Sequence, residues 1–153
     1  MELQDFGIKM IGDVNVQRFD ASGALVEEHQ IKNLVVTVGK TYIANRMQSN
    51  SVQGVMNTMA IGTSSATPAV GNTTLGIEAG RVALASFSSS GNQVTATATF
   101  PAGTGTGAIT EAGIFNPATA GNSGGNMLCR TTFPVVNKAA GDSIAVTWVI
   151  TVS

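Results

Sequence analysis

Apolar and polar residues alternate with a period of two along most of the chain, in short runs closed by glycine, asparagine or serine, which is the pattern of β-strands. Val14 to Phe19 and Leu25 to Ile31 form the first pair. Asp20-Ala21-Ser22-Gly23 between them supplies the Asp and Gly of a tight turn, so a β-hairpin is expected. A second hairpin is expected from Arg81 to Ser88 and Gln93 to Phe100 about Ser90-Gly91-Asn92. There Val94, Ala96, Ala98 and Phe100 face inward and the interleaved threonines face solvent. Further strands are predicted at Thr58 to Ile61, Ala108 to Phe115, Met127 to Phe133 and Ser143 to Val152. In the last of these Ile144, Val146, Trp148, Ile150 and Val152 form one row. Its other face, Ala145, Thr147, Val149 and Thr151, is mixed, which predicts a central position in a sheet or a place at a subunit contact.

One segment departs from this rhythm. Val38, Tyr42, Ile43 and Met47 are spaced as on a helix and follow Thr37 as a candidate N-cap, so a short helix is predicted over 38–47. The fold class read from the residues is therefore all-β with one short helix. A length of 153 residues suits a single domain, and no internal repeat or linker divides it. Residues 1–12 form a candidate N-terminal arm.

Composition narrows the range of functions. Only 11% of residues are charged, well under the usual ~25%. Glycine (18 residues), threonine, serine, asparagine and alanine fill the difference, and the 43% hydrophobic content argues against a disordered chain. A net charge of −1 leaves no basic stripe to neutralise a row of phosphates, so direct nucleic-acid binding is not expected. The longest apolar stretches, Leu34 to Val36 and Ile144 to Val152, are shorter than the ~20 residues of a membrane-spanning helix. No basic stretch followed by an apolar run marks a secretory signal at the N-terminus, and synthesis in a cytoplasm is expected. The single Cys129 excludes an intrachain disulfide and a cysteine-based zinc site.

Residues able to do chemistry are few. His29 would have to be the base of any Ser or Cys triad, yet it sits among alternating strand residues and reads as a solvated strand histidine. Glu27 and Glu28 are adjacent and so point to opposite faces of a strand, which does not make a metal site. Gly39-Lys40-Thr41 ends like a phosphate-binding loop, but Leu34 stands where its first glycine belongs. Gly103-Thr104-Gly105-Thr106-Gly107 lacks the strand-to-helix step of a dinucleotide turn and reads as an inter-strand loop. Asn72-Thr73-Thr74 has the form of a glycosylation triplet, which carries no meaning without a secretory signal. Cys129 reads as a small buried hydrophobe, and Trp148 as a core residue. Glu111, a carboxylate among apolar strand residues, is costly unless paired; it reads either as the partner of Arg81 or Arg130 in a structural ion pair or as a lone surface charge. A carbohydrate-cleaving site would want a second, suitably spaced acid and an aromatic platform. No enzymatic activity, cofactor, metal or small-molecule substrate is expected.

Several longer strings carry a likeness. Lys32 to Lys40, Ala60-Ile61-Gly62-Thr63, Pro68 to Leu75, then Glu78 and Arg81, followed by Thr110 to Asn116 and Lys138 to Trp148, together resemble small structural proteins of tailed-bacteriophage virions. Similar strings occur in head decoration (cement) proteins and in attachment domains of tail fibres. The chain stops at Ser153 without the repetitive shaft of a fibre, which favours decoration. The resemblance implies a β-sandwich or jelly-roll-like antiparallel body, a homotrimer, seated on the capsid exterior and bound to the major capsid protein, where it stabilises the head against the pressure of packaged DNA. The alternative is a tail-fibre adaptor or baseplate protein of the same virion. The apolar residues of the N-terminal arm, Leu3, Phe6, Ile8, Met10 and Ile11, alternate poorly and lack an evident strand partner, so they are the candidate capsid-binding residues; an ordinary edge strand is the competing reading.

Overall fold

The computed structural model describes residues 7–48, 54–116 and 125–153. Ten strands and one helix follow one another in the order β1 (Met10–Phe19), β2 (Leu25–Lys32), β3 (Leu34–Val35), α1 (Thr37–Arg46), β4 (Thr58–Gly62) and β5 (Glu78–Ala83). The remaining strands are β6 (Ser86–Ser90), β7 (Gln93–Phe100), β8 (Gly107–Phe115), β9 (Met127–Lys138) and β10 (Ser143–Val152). They form two five-stranded antiparallel sheets, β2-β1-β10-β7-β6 and β3-β9-β8-β4-β5. The fold is all-β and sandwich-like, with a single short helix among the described residues.

Burial explains why these residues become strands. The first sheet turns Val14, Val16, Ala96, Ala98, Phe100, Ile144, Val146, Trp148 and Ile150 inward, and they pack on Met59, Ile61, Ile109, Ala112, Ile114, Cys129, Phe133 and Val136 of the second. Each fully buried large side chain of this set contributes about 1.5–3 kcal/mol relative to exposure. A slip of one residue in any of these strands would exchange core and solvent faces, so the alternation also fixes register. The row along β10 is buried from Ile144 to Ile150, with Val152 half-buried, and the strand lies at the centre of its sheet, between β1 and β7.

Turn chemistry closes both hairpins of the first sheet. At the β1–β2 turn the Asp20 carboxylate accepts from the Ser22 and Ala24 amides and the Ser22 hydroxyl, and Gly23 takes a φ of +85°. These donors, the Ser22 hydroxyl first, hold the Asp20 carboxyl below its ordinary range. In the β6–β7 turn only Gly91 has a positive φ, the arrangement of a II′ hairpin.

Four expectations need correction. The segment 81–88 is not one strand. Leu84 N–H still bonds Asn57 O beside the second sheet, while Ala85 N–H bonds Thr97 O in the first, so the chain changes sheets between them. Thr37 is not the N-cap: Val36 occupies that position without a side-chain bond, and the helix runs one residue earlier than predicted at both ends. Met47, counted in the helical row, lies just past the helix as its C-cap and is 84% exposed. β9 runs to Lys138, five residues past the expected end, because a bulge absorbs Phe133, Pro134 and Val135 opposite Thr110. Proline, which offers no N–H to a ladder, is accommodated at such a bulge.

Candidate interaction surface

Two of the charges buried in the second sheet form a pair. Glu111 of β8 is 0% exposed and Arg130 of β9 is 2% exposed. They are brought together because Gly113 pairs with Arg130 in the β8–β9 register and Glu111 lies two residues away on the same face. One oxygen, Oε2, receives Arg130 Nε at 2.9 Å and the Gly76 amide at 2.9 Å, with Arg130 Nη2 2.8 Å away. The other, Oε1, receives the Ser64 and Ile77 amides at 3.2 and 2.8 Å. Arg130 Nη1 continues to Asn72 Oδ1, which also caps the Ala69 amide.

This network pins the 63–77 connection between β4 and β5 across the outer face of the sheet, where Leu75 joins Ala60, Phe115 and Met127 in a second apolar cluster. Two glycines allow the approach: a Cβ at Gly62 would lie 2.5 Å from Glu111 Oε1, and one at Gly76 would lie 2.4 Å from Ser64 Oγ. The loop in turn holds the helix. Val70 O accepts from Thr37 N–H at 2.8 Å, satisfying a first-turn donor that no side chain caps.

Of the two partners expected for Glu111, the structure selects Arg130. Arg81 pairs instead with Glu78 and places its guanidinium 4.1 Å from the Phe115 ring centre. Asn72, noted as part of a glycosylation triplet, is thus a buttress of the ion pair. Gly39, noted for its likeness to a phosphate loop, serves packing: a Cβ there would fall 2.1 Å from Leu128 O, so only glycine lets α1 rest on β9. Cys129 is buried and desolvation pushes its thiol up to about 12, which keeps it protonated and inert. His29 is half-buried and not freely solvated, with Nε2 2.8 Å from Glu27. That contact, opposed by burial and reinforced by Arg18, holds the Glu27 carboxyl below its ordinary range. Arg18 goes on to Asp142 at 3.0 Å, and Lys138 donates to Pro101 O at 2.9 Å, with burial pushing the ammonium's pKa down. Each of these groups is engaged in holding the fold.

The proposed contact residues lie elsewhere, at one end of the sandwich. Leu3 and Phe6 fall outside the described residues. Ile8 is 82% exposed and Ile11 46% exposed, while Met10 packs partly against the core. Contrary to the expectation that they lack a strand partner, Met10 and Ile11 belong to β1 and pair with Val152 and Thr151 of β10. With Lys9, Asn33, Leu34, Val35, Lys40 and Ile43 these three residues line an open groove of about 540 Å³, where the first sheet meets β3 and α1. Sequence reading placed Ile8, Met10 and Ile11 at a surface but missed Leu34, Val35 and Ile43. They come from two further elements, β3 and α1, and their traces were the apolar run ahead of the helix and the place of Ile43 in the helical row.

A groove with an apolar floor and a polar rim can hold another chain's side chains; it brings together no acid–base pair and no nucleophile. Among the described residues no three His, Cys, Asp or Glu side chains gather as a metal-binding group, and no helix is long and apolar enough to cross a membrane. No family model, curated protein or solved structure shows a significant match to this chain.

Proposed function

We propose that this protein is a structural component of a tailed-phage virion, a decoration (cement) protein that binds the outer surface of the major capsid lattice and stabilises the head against internal DNA pressure. The observation that carries the reading is the exposed apolar groove at Ile8, Met10 and Ile11, a surface suited to contact another protein. Supporting it, the strings that carry the likeness to virion proteins supply Gly62, Asn72, Leu75, Glu78, Arg81 and Glu111, the residues that brace the 63–77 loop and the adjacent strand.

The physics of the task matches such a surface. A shell under pressure separates at its subunit junctions, and a protein that touches several subunits gains avidity from many modest contacts. As a homotrimer it closes a threefold ring at such a junction, each subunit presenting one patch to the next. Contacts that are mainly apolar and hydrogen-bonded are little weakened by salt.

The test is to add the purified chain to particles assembled without it. Saturation at a copy number on the scale of the capsid subunits, with weakened binding of Ile8→Glu, is the expected result. Saturation at the few copies of a tail structure would move the protein to the tail, as a fibre adaptor or baseplate component, and no binding would end the virion reading.

A further inference from the structure

The flank of β1 opposite β10 changes at Gly12. From Asp13 onward β1 has β10 on one side and β2 on the other. Before Asp13 the described residues provide no second neighbour, because the chain leaves β2 at Lys32 and enters the other sheet as β3. The Asn33 amide, donating to Gly12 O at 3.1 Å, makes the last bond on that flank. Antiparallel alternation determines which groups are left open. Lys9 and Ser153 exchange two hydrogen bonds, of 2.6 and 2.8 Å, so the Lys9 backbone faces β10. Gly12, three residues on, faces away and meets Asn33. Met10 shares the direction of Gly12: its N–H and C=O turn from β10 toward the groove, and among the described residues no strand pairs with it there.

Charge points the same way. Of the eight basic side chains, Arg18, Lys32, Arg81 and Arg130 are ion-paired, Lys138 donates to the Pro101 carbonyl, and Arg46 is engaged. Lys9 and Lys40, the two for which the described residues provide no partner, both line this groove, and no carboxylate among the described residues does. An open strand edge, an apolar floor and two uncommitted ammonium groups therefore coincide.

We infer that the groove takes an extended peptide segment in which apolar side chains alternate with carboxylates, added to β1 as a strand on the side opposite β10. Main-chain bonds to Met10 supply affinity, the apolar set lies over Ile8, Leu34 and Ile43, and the carboxylates reach Lys9 and Lys40. The inference rests on the virion reading only for the owner of that segment, a capsid subunit.

The experiment uses the full chain and two capped eight-residue peptides, one alternating leucine with glutamate and the other leucine with lysine. Affinity is measured by fluorescence anisotropy and amide exchange by NMR. The leucine–glutamate peptide should bind at least tenfold tighter than its lysine counterpart. A Lys9→Glu/Lys40→Glu variant, altered only at exposed positions, should reverse that preference. Binding should slow exchange of the Met10 amide at least tenfold and leave the Lys9 amide, already bonded to Ser153, little changed. Equal affinity for the two peptides, an unaltered preference in the variant, or binding without protection of Met10 would overturn the assignment. So would displacement of the peptide by a second copy of the chain seated in the groove. Success with the peptides by a protein absent from purified particles would leave the groove assignment standing and end the virion reading. Failure with the peptides by a protein that saturates capsids would do the reverse.

Discussion

Replacing Glu111 by Gln tests the clamp that holds the outer loop. The substitution keeps the shape but removes the charge that Arg130, 2% exposed, requires. It also places an NH₂ group where the carboxylate accepts from Arg130 or from the backbone amides of Ser64, Gly76 and Ile77. Breaking one side of a buried ion pair costs about 3–5 kcal/mol, and Gln, which retains one acceptor oxygen, falls near ~3 kcal/mol. For a chain of this size that lowers Tm by roughly 6–12 °C. Urea denaturation followed by circular dichroism measures the loss, and amide exchange locates it: the Ser64, Gly76 and Ile77 amides should lose protection before the β10 core does. A Glu111→Leu/Arg130→Met double variant separates two explanations. A simple ion pair replaced by apolar residues recovers most of its stability. Here three backbone donors would still lack their acceptor, each costing about 1–3 kcal/mol, so the double variant should stay at least ~2 kcal/mol below wild type. A loss under ~1 kcal/mol for Glu111→Gln, or full recovery in the double variant, would refute the claim that this carboxylate fixes the loop.

Three further outcomes follow from the packing. Gly39→Ala puts a methyl group 2.1 Å from Leu128 O, a backbone atom that cannot step aside, and should lower unfolding free energy by about 1–3 kcal/mol or more, measured in urea. Cys129 should resist thiol reagents in the native protein at pH 8 and react on unfolding; fast native labelling would contradict its burial. Because its folded pKa is raised to about 12 from an ordinary 9.0, the unfolded chain loses that proton first. The thiol's contribution to stability is complete below pH 9 and is lost as pH rises from 9 to 12. The difference in stability between wild type and Cys129→Ala should therefore shrink across that window, and a constant difference would count against it.

What the chain's pattern disclosed depended on burial. β4, β8 and β10 were legible to within a residue because apolar residues mark the faces they bury. The break between β5 and β6 was not, since 81–88 looks uniform and only the distant acceptors Asn57 and Thr97 divide it. Glu111 shows the same limit at a single side chain. Its cost among apolar neighbours demanded a partner, and two arginines were available, but the choice was made by the pairing of Gly113 with Arg130 across β8 and β9. The groove was half legible for a similar reason. Ile8, Met10 and Ile11 are consecutive enough to read as a patch, whereas Leu34 and Ile43 reach it only through the sheet change at Asn33 and the docking of α1.

The most direct test is a reconstruction of the phage particle at a resolution that traces side chains. The proposed role predicts this chain on the exterior of the head at capsid subunit junctions, with Ile8, Met10 and Ile11 against a capsid segment running alongside β1. Density for it confined to the tail, or a head lattice whose junctions are bare while the protein is found only outside the particle, would contradict that role.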